Sequence, residues 1–294
     1  MPDGANIGRQ HNRRELYEVV DNHLIRSSSG SILVPIDPVR GSGASMACGR
    51  RVRAAAPAAA ALLFCCTAYT VAPARADDIE DARAIVFSGR DVWLNGAFLN
   101  GGVLWSPTAL DDSGLLFKFL LSGGLYRYDA GDLGGERVIG SEWMVQLLPG
   151  WHVKRGTFEA KVFMGPEFQQ HHLSPDDPGN SLNGNKLGLR LSTELWDEPT
   201  DTTMIAADGS LSTVDGQYSA RVGFGWKILD MFYSGPETQA YSADGYSQWR
   251  FGLHITSFKT GNAEWSAAGG WARDTNNRSS PYVRLGFMQR VGGD

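Results

Sequence analysis

The chain has little cysteine and, after residue 76, no long apolar run. Its three cysteines are Cys48, Cys65 and Cys66, so residues 77–294 contain no thiol and cannot form disulfides. No stretch of about 20 apolar residues occurs in that part, which excludes a membrane-spanning helix there. Cationic charge is also scarce, because 18 basic residues face 27 acidic ones, a net charge near −9. This balance argues against nucleic acid as a partner.

The residues before 77 have a different character. Residues 1–45 are polar without periodicity, and we expect them to be disordered and to reflect a start codon placed too early. Residues 46–76 predict a cleavable signal peptide. Three arginines between 50 and 53 precede an alanine-rich apolar run, which ends at Ala74-Arg75-Ala76. A transmembrane anchor is the alternative, but the run is weakly apolar and contains a proline. We predict cleavage after Ala76, leaving residues 77–294 as the folded part.

Residues 77–294 contain about twelve segments in which apolar and polar residues alternate. In residues 186–195, Leu187, Leu189 and Leu191 alternate with Lys186 and Arg190. A helix would spread the charges around its circumference, whereas a strand places them on one face. The pattern therefore predicts strands near 84–94, 96–107, 114–129, 140–155, 156–171, 185–197, 201–213, 216–229, 231–242, 246–259, 262–274 and 280–291.

The arrangement of these strands predicts an all-β fold, an antiparallel transmembrane β-barrel of about 12 strands. The long polar connections 129–140 and 171–185 are expected at one end, and most tight turns at the other, as in barrels of the outer membrane of a Gram-negative bacterium. A soluble β-sandwich or a periplasmic lipocalin-like barrel is the alternative. The segments, however, often reach roughly ten to fourteen residues, whereas strands of globular proteins average about five or six.

Aromatic residues near the predicted strand ends fit the interfacial girdles of such barrels. The residues expected in the girdles are Trp93, Trp105, Trp151, Trp196, Trp271 and Tyr282.

A short motif, Gly-Pro-Glu-x-Gln, occurs at 165–169 and again at 235–239. The segments downstream of the two copies, 186–193 and 250–257, also resemble each other. Strand periodicity directs both glutamates and both glutamines inward, together with arginines of nearby strands. The predicted lumen-facing polar ladder comprises Glu167, Gln169, Arg190, Arg221, Glu237, Gln239, Arg250 and Arg284. We expect Glu237 to pair with Arg250, with Arg284 and Arg221 as alternatives, because strand register cannot be read from the sequence.

Several segments resemble the bacterial cellulose biosynthesis protein BcsS family. They are GGLYRYD (123–129), LSPDDPGN (173–180), ELWDEPTD (194–201), GPETQAY (235–241) and WRFGLHITSFKTG (249–261). The resemblance covers residues 85–290. It implies an outer-membrane barrel encoded with cellulose synthesis genes, and it carries over no catalytic residue. The partners it implies, beside outer-membrane lipid, are cellulose or other cellulose-synthesis proteins.

The polar interior has two non-enzymatic interpretations. It is either the polar lining that every such barrel needs, or a conduit or guide for a neutral polysaccharide. A polysaccharide needs hydrogen-bonding groups and aromatic faces, and the possible glycan-facing aromatics are Tyr126, Tyr128, Trp196 and Tyr241. The function predicted is a non-enzymatic barrel that assists cellulose biosynthesis, export or surface organisation.

The alternative is an outer-membrane enzyme acting on lipid or glycan. Glu167 and Glu237 could form the carboxylate pair of a glycosidase, but neighbouring arginines keep a carboxylate ionised, which does not suit a general acid. A lipid hydrolase needs a serine placed with a histidine, and no serine pattern accompanies His171 and His172. These histidines show no ligand spacing either and are expected in a solvated loop. We therefore predict no catalytic residue, metal site or cofactor.

Overall fold

The computed structural model describes residues 82–131, 133–243, 246–275 and 278–292. Twelve strands in these residues form one closed antiparallel barrel, which confirms the predicted all-β barrel. The expected disordered start and signal peptide lie outside the described residues. The strands are β1 (Ala84–Trp93), β2 (Gly96–Trp105), β3 (Gly114–Ala130), β4 (Glu136–Arg155), β5 (Phe158–Ser174), β6 (Gly184–Thr200), β7 (Thr203–Ser212), β8 (Tyr218–Ile228), β9 (Phe232–Ala243), β10 (Tyr246–Thr260), β11 (Ala263–Asp274) and β12 (Ser279–Val291).

Each strand pairs with the next in sequence, and β1 closes the barrel against β12. Starting from Leu173 on β5, one can move from each residue to its ladder partner on the next strand. One full circuit of the barrel then returns to β5 at Glu159 instead of Leu173. Such an offset makes the strands of a barrel tilt by about 40° to its axis. Among the described residues no helix is long and apolar enough to cross a membrane.

The two ends of the barrel differ in their connections. One end, here called the termini end, holds residues 82–83 and 292, the connection 106–113 between β2 and β3, and the short connections 156–157, 201–202, 229–231 and 261–262. The other, here called the loop end, holds the connections 94–95, 175–183 and 213–217 and the segment between β3 and β4. The prediction that the two long connections share one end, opposite most tight turns, is confirmed.

The outer surface of the wall is apolar. Leucine, valine and isoleucine side chains point outward along every strand pair, as at Leu187, which is 79% exposed. Outward tryptophans lie near both ends: Trp105, Trp151, Trp226 and Trp265 near the termini end, and Trp143, Trp249 and Trp271 toward the loop end. Trp265 and Trp271 are six residues apart on β11, about 20 Å along the strand.

Half of the predicted girdle residues are instead inside the barrel. Trp105, Trp151 and Trp271 are exposed on the outside as expected, but the following three are buried: Trp93, Trp196 and Tyr282. Proximity to a strand end was the wrong criterion for these residues. On a strand the facing side is set by alternation, and each of the three has an exposed or partly exposed outward neighbour, as Tyr282 has in Val283.

Candidate functional site

The loop end of the interior is filled by an aromatic cluster, here called the loop-end cluster. Its members include Trp93, Phe98, Tyr126, Tyr128, Tyr241, Tyr246 and Tyr282. The connection 175–183 turns into it, because Leu182 is fully buried there and Tyr128 Oη donates to Asp177 Oδ2 at 2.7 Å. Asn180 Nδ2 in turn donates to Tyr128 Oη at 2.8 Å. This connection therefore folds into the interior at the loop end.

The interior near the termini end is likewise filled by apolar side chains. Phe87, Leu116, Leu148 and Phe163 form part of one buried cluster, and Leu110 joins it from the connection between β2 and β3. The same connection is tied to the wall, since Leu110 N donates to Ala82 O at 3.0 Å. Both ends of the described interior are thus occupied by the chain's own side chains.

Between the two clusters lies a layer of paired charges, here called the charged layer: Asp91, Glu167, Arg190, Asp208, Arg221, Glu237, Arg250 and Arg284. This layer includes six of the eight residues of the predicted polar ladder, and the other two are Gln169 and Gln239. The structure places all eight ladder residues inside the barrel, with exposed fractions between 0% and 8%. Their proposed role toward a ligand stays a prediction. Charges buried to this extent need partners, and the contacts below provide them.

Glu167 of the first motif copy pairs with the neighbouring strand. Arg190 Nε on β6 donates to Glu167 Oε2 at 2.6 Å, and Ser212 on β7 donates to the other carboxylate oxygen. Arg190 has further acceptors in Ser210 Oγ at 2.9 Å and Gln217 Oε1 at 3.3 Å. This ion pair is therefore local, within three consecutive strands.

Glu237 of the second copy pairs with an arginine three strands away as well as with one on a neighbouring strand. Arg284 Nη2 on β12 lies 2.5 Å from Glu237 Oε2, and Arg221 Nη1 on β8 lies 3.6 Å from the same oxygen. Tyr282 Oη donates to Glu237 Oε1 at 3.0 Å. The expected primary pair with Arg250 is therefore wrong, and both alternatives are correct.

Arg250 pairs with an acid that the sequence interpretation missed. Its Nη1 lies 2.7 Å from Asp91 Oδ2 on β1, and its guanidinium lies over the rings of Trp93, Tyr241 and Tyr282 at 4.9, 5.4 and 5.1 Å. The strands β10 and β1 are not neighbours, so register alone could not have identified this pair.

A signal for Asp91 nevertheless exists in the sequence, as a third and weaker copy of the motif. The pattern aromatic-x-Gly-x-acid occurs at 87–91, 163–167 and 233–237, on β1, β5 and β9, four strands apart each time. The leading aromatics, Phe87, Phe163 and Tyr233, are all buried, and each acid is ion-paired with an arginine. The copy at 87–91 has arginine in place of proline, which hides it from a search for Gly-Pro-Glu.

The Gly-Pro pair has the same backbone setting in both strong copies. The β4–β5 ladder has no paired residues between Gln146↔Glu167 and Gly150↔Phe163. The β8–β9 ladder has a corresponding gap between Gly223↔Glu237 and Trp226↔Ser234. Proline has no N–H to donate into a ladder. A Cβ at Gly165 or Gly235 would lie 2.1 Å from a carbonyl oxygen of the preceding strand. At these two positions the absence of a side chain therefore allows the backbone of the preceding strand to approach closely.

The four possible glycan-facing aromatics fall into two separate places. Tyr126, Tyr128 and Tyr241 belong to the loop-end cluster, while Trp196 lies with Tyr233 and Met204 in another buried cluster. All four are at most 3% exposed. All four are therefore covered by the chain's own side chains, and the glycan-facing role stays a prediction.

Glu167 and Glu237 contact separate sets of partners, and no hydrogen bond or ion pair joins the two carboxylates. His171 is buried, its Nδ1 lying 3.3 Å from Tyr126 Oη, whereas His172 is exposed. The expectation that both histidines lie in a solvated loop is therefore wrong, because β5 extends through them to Ser174. In the described ranges, no group of three or more His, Cys, Asp or Glu side chains is arranged to hold a metal ion.

Several solved structures are similar to this barrel at low sequence identity. An outer membrane channel from Pseudomonas putida F1 is 11% identical with a TM-score of 0.48, covering 72% of this chain and 96% of the channel. LpxR from Salmonella typhimurium is 10% identical with a TM-score of 0.42, covering 71% and 100%. KdgM porin is 10% identical with a TM-score of 0.38, covering 70% and 99%.

No curated protein matches the chain at a significant level. The family model described as "Cellulose biosynthesis protein BcsS" matches residues 85–291, which contain all twelve strands except the first residue of β1. The match covers more than half of the chain and agrees with the resemblance seen in its segments. The chain therefore belongs to the cellulose biosynthesis protein BcsS family.

Proposed function

We propose that this protein spans the outer membrane of a Gram-negative bacterium and supports cellulose production there as a closed, non-enzymatic barrel. Its expected partners are outer-membrane lipid, and cellulose or other cellulose-synthesis proteins at the exposed ends. The link to cellulose is supported by family membership. The membrane location is supported by the apolar outer face with tryptophans near both ends.

One observation carries the closed, non-conducting part of the proposal. The eight members of the charged layer engage one another or nearby polar groups through ion pairs and hydrogen bonds, and clusters of buried side chains lie on both sides of the layer. Opening a path would separate charges such as Glu237 and Arg284, which is unfavourable in a confined interior. We infer that the barrel anchors or organises the cellulose machinery through its ends instead of passing the polymer through its wall.

The ion pairing also weighs against the enzymatic alternative. A glycosidase needs one carboxyl group able to donate a proton beside a second carboxylate. Glu167 and Glu237 instead each contact an arginine at 2.6 Å or less, so both carboxylates are engaged in ion pairs with separate partners.

Two measurements test this function. In a planar lipid bilayer, the purified barrel should show no steady ion conductance, and a stable open channel would overturn the closed-barrel proposal. In the producing organism, deletion of the gene should reduce cellulose output or change dye binding at the cell surface. Restoring the wild-type gene should reverse the defect. Unchanged cellulose output and unchanged dye binding in the deletion strain would overturn the cellulose role.

A further inference from the structure

The turn between β8 and β9 exposes apolar side chains at the termini end. It comprises residues 228–231 and is here called the tip turn, and in it Leu229 is 81% exposed and Met231 is 56% exposed. The other short connections at this end contain only glycine, threonine, aspartate and asparagine: 156–157, 201–202 and 261–262. Among these connections, a large exposed apolar side chain is therefore specific to the tip turn.

The backbone of the tip turn does not favour leucine. Met231 N donates to Ile228 O at 3.0 Å, and both central residues have positive φ, 53° at Leu229 and 55° at Asp230. This is the pattern of a type I′ turn, whose central positions prefer asparagine, aspartate and glycine. Two of the other short connections place a glycine at a comparable angle. Asp230 suits the turn, whereas Leu229 is strained there, because a Cβ is crowded in the left-handed region.

Neither the turn geometry nor the packing of the barrel explains a leucine at position 229. Single exposed apolar side chains are common on protein surfaces, but Leu229 is exposed and also held at an unfavourable backbone angle. Backbone strain of this kind clusters at binding and other functional sites. Leu229 and Met231 therefore form an apolar tip that is stabilised when something outside the barrel covers it.

The acid within the tip turn distinguishes between lipid and protein as the covering material. The wall beside the turn is apolar, as at Trp226, which is 51% exposed. Asp230 is exposed between Leu229 and Met231, and it makes no hydrogen bond or ion pair with any residue that the structure describes. Insertion of the tip into lipid would carry this carboxylate with it, and an unpaired charge is unfavourable there. A protein surface can cover both apolar side chains and also provide a cation for the carboxylate.

We propose that the tip turn is the docking point for a periplasmic protein whose surface has an apolar groove with a lysine or arginine at its rim. Leu229 and Met231 fill the groove, where the flexible methionine adapts to an irregular shape. Asp230 forms a charge-assisted hydrogen bond with the basic side chain. The end with the short connections faces the periplasm in outer-membrane barrels. This inference rests on the proposed membrane location and names one contact through which the barrel organises the cellulose machinery.

The test introduces the photo-crosslinking residue benzoylphenylalanine at position 231 of the full chain in the producing organism. Irradiation of cells should give a covalent adduct with a protein, identified by mass spectrometry, and the same residue at position 262 should not give it. Adding Asp230→Lys should reduce the adduct yield severalfold, because a cation then meets the basic group of the partner. The matched control is Asp201→Lys in the neighbouring short connection, where the acid is also exposed, and it should leave the adduct yield unchanged.

A second variant separates docking from folding. Leu229→Asn should leave the barrel at least as stable as the wild type, judged by the temperature at which the folded gel band disappears, because asparagine tolerates positive φ. The same change should reduce the adduct yield severalfold, since the apolar anchor is lost.

Three results would overturn the docking proposal: adducts with lipid alone, no adduct at position 231, or a wild-type yield in Asp230→Lys or Leu229→Asn. A less stable Leu229→Asn barrel would contradict the strain on which the proposal depends. An adduct that forms equally in a strain without the other cellulose-synthesis genes would support docking and contradict the cellulose role, so failures of the two proposals are distinguishable.

Discussion

The two Gly-Pro-Glu-x-Gln copies share a backbone setting but differ in what their glutamates hold together. In both, the glycine approaches a carbonyl oxygen of the preceding strand, and the glutamate is opposite a glycine on the following strand. Glu167 then binds Arg190 on the adjacent strand, whereas Glu237 binds Arg284 three strands away. A repeated motif thus fixes a local conformation and leaves the choice of partner to the surrounding barrel.

The difference predicts unequal losses when each glutamate is removed. Glu237→Ala should destabilise the barrel by about 3–5 kcal/mol, because Arg284 then loses its acidic partner in a buried layer. Glu167→Ala should cost less, since Arg190 keeps Ser210 and Gln217 as acceptors. The measurement is the temperature at which the folded band of unboiled protein disappears in gels. Equal losses for the two variants would contradict the comparison.

A smaller effect is expected at the glycines of the motif. Gly165→Ala and Gly235→Ala should each cost about 1–3 kcal/mol, as overpacking usually does, because the new methyl meets a backbone carbonyl that cannot move freely. The control is Gly89→Ala of the third copy, where the nearest atom is the side-chain oxygen of Asn100 at 2.9 Å. That variant should lose less stability, measured as the urea concentration at which the folded gel band disappears. A loss at Gly89 as large as at Gly235 would remove the distinction between the copies.

The smallest effect is expected in double variants that exchange the charges of Glu237 and an arginine, and these variants identify its partner. Glu237→Arg combined with Arg284→Glu should be more stable than the sum of the single changes, with a coupling energy of about 1 kcal/mol. Glu237→Arg combined with Arg250→Glu should show no recovery, because Arg250 is paired with Asp91. Recovery in the second double variant alone would show that the register across the interior differs from the one described.

Much of the wall could be predicted from the sequence, because alternation is a local property of strands. The predicted segments overlap all twelve strands, and the leucines of 187–191 face outward as expected. The polar ladder faces inward for the same reason. The girdle prediction failed at Trp93, Trp196 and Tyr282, where nearness to a strand end was given more weight than the side on which alternation places the residue.

The partners within the interior could not be predicted. Asp91 and Arg250 are 159 positions apart, and they meet because the barrel closes with one particular offset between its first and last strands. Arg284 of β12 meets Glu237 of β9 across three neighbouring strands instead, which leaves Arg250 to another acid.

The sequence by itself determined that this protein is a barrel with an apolar outside and a charged inside, since a period of two residues assigns every side chain of a strand to one face. Only the tertiary structure decided that buried side chains fill the interior near both ends. Whether a lumen of this size is open depends on how side chains from opposite walls and the connections 106–113 and 175–183 fill it. That filling depends on strand offset and loop path, which are non-local and leave no periodic pattern in the sequence.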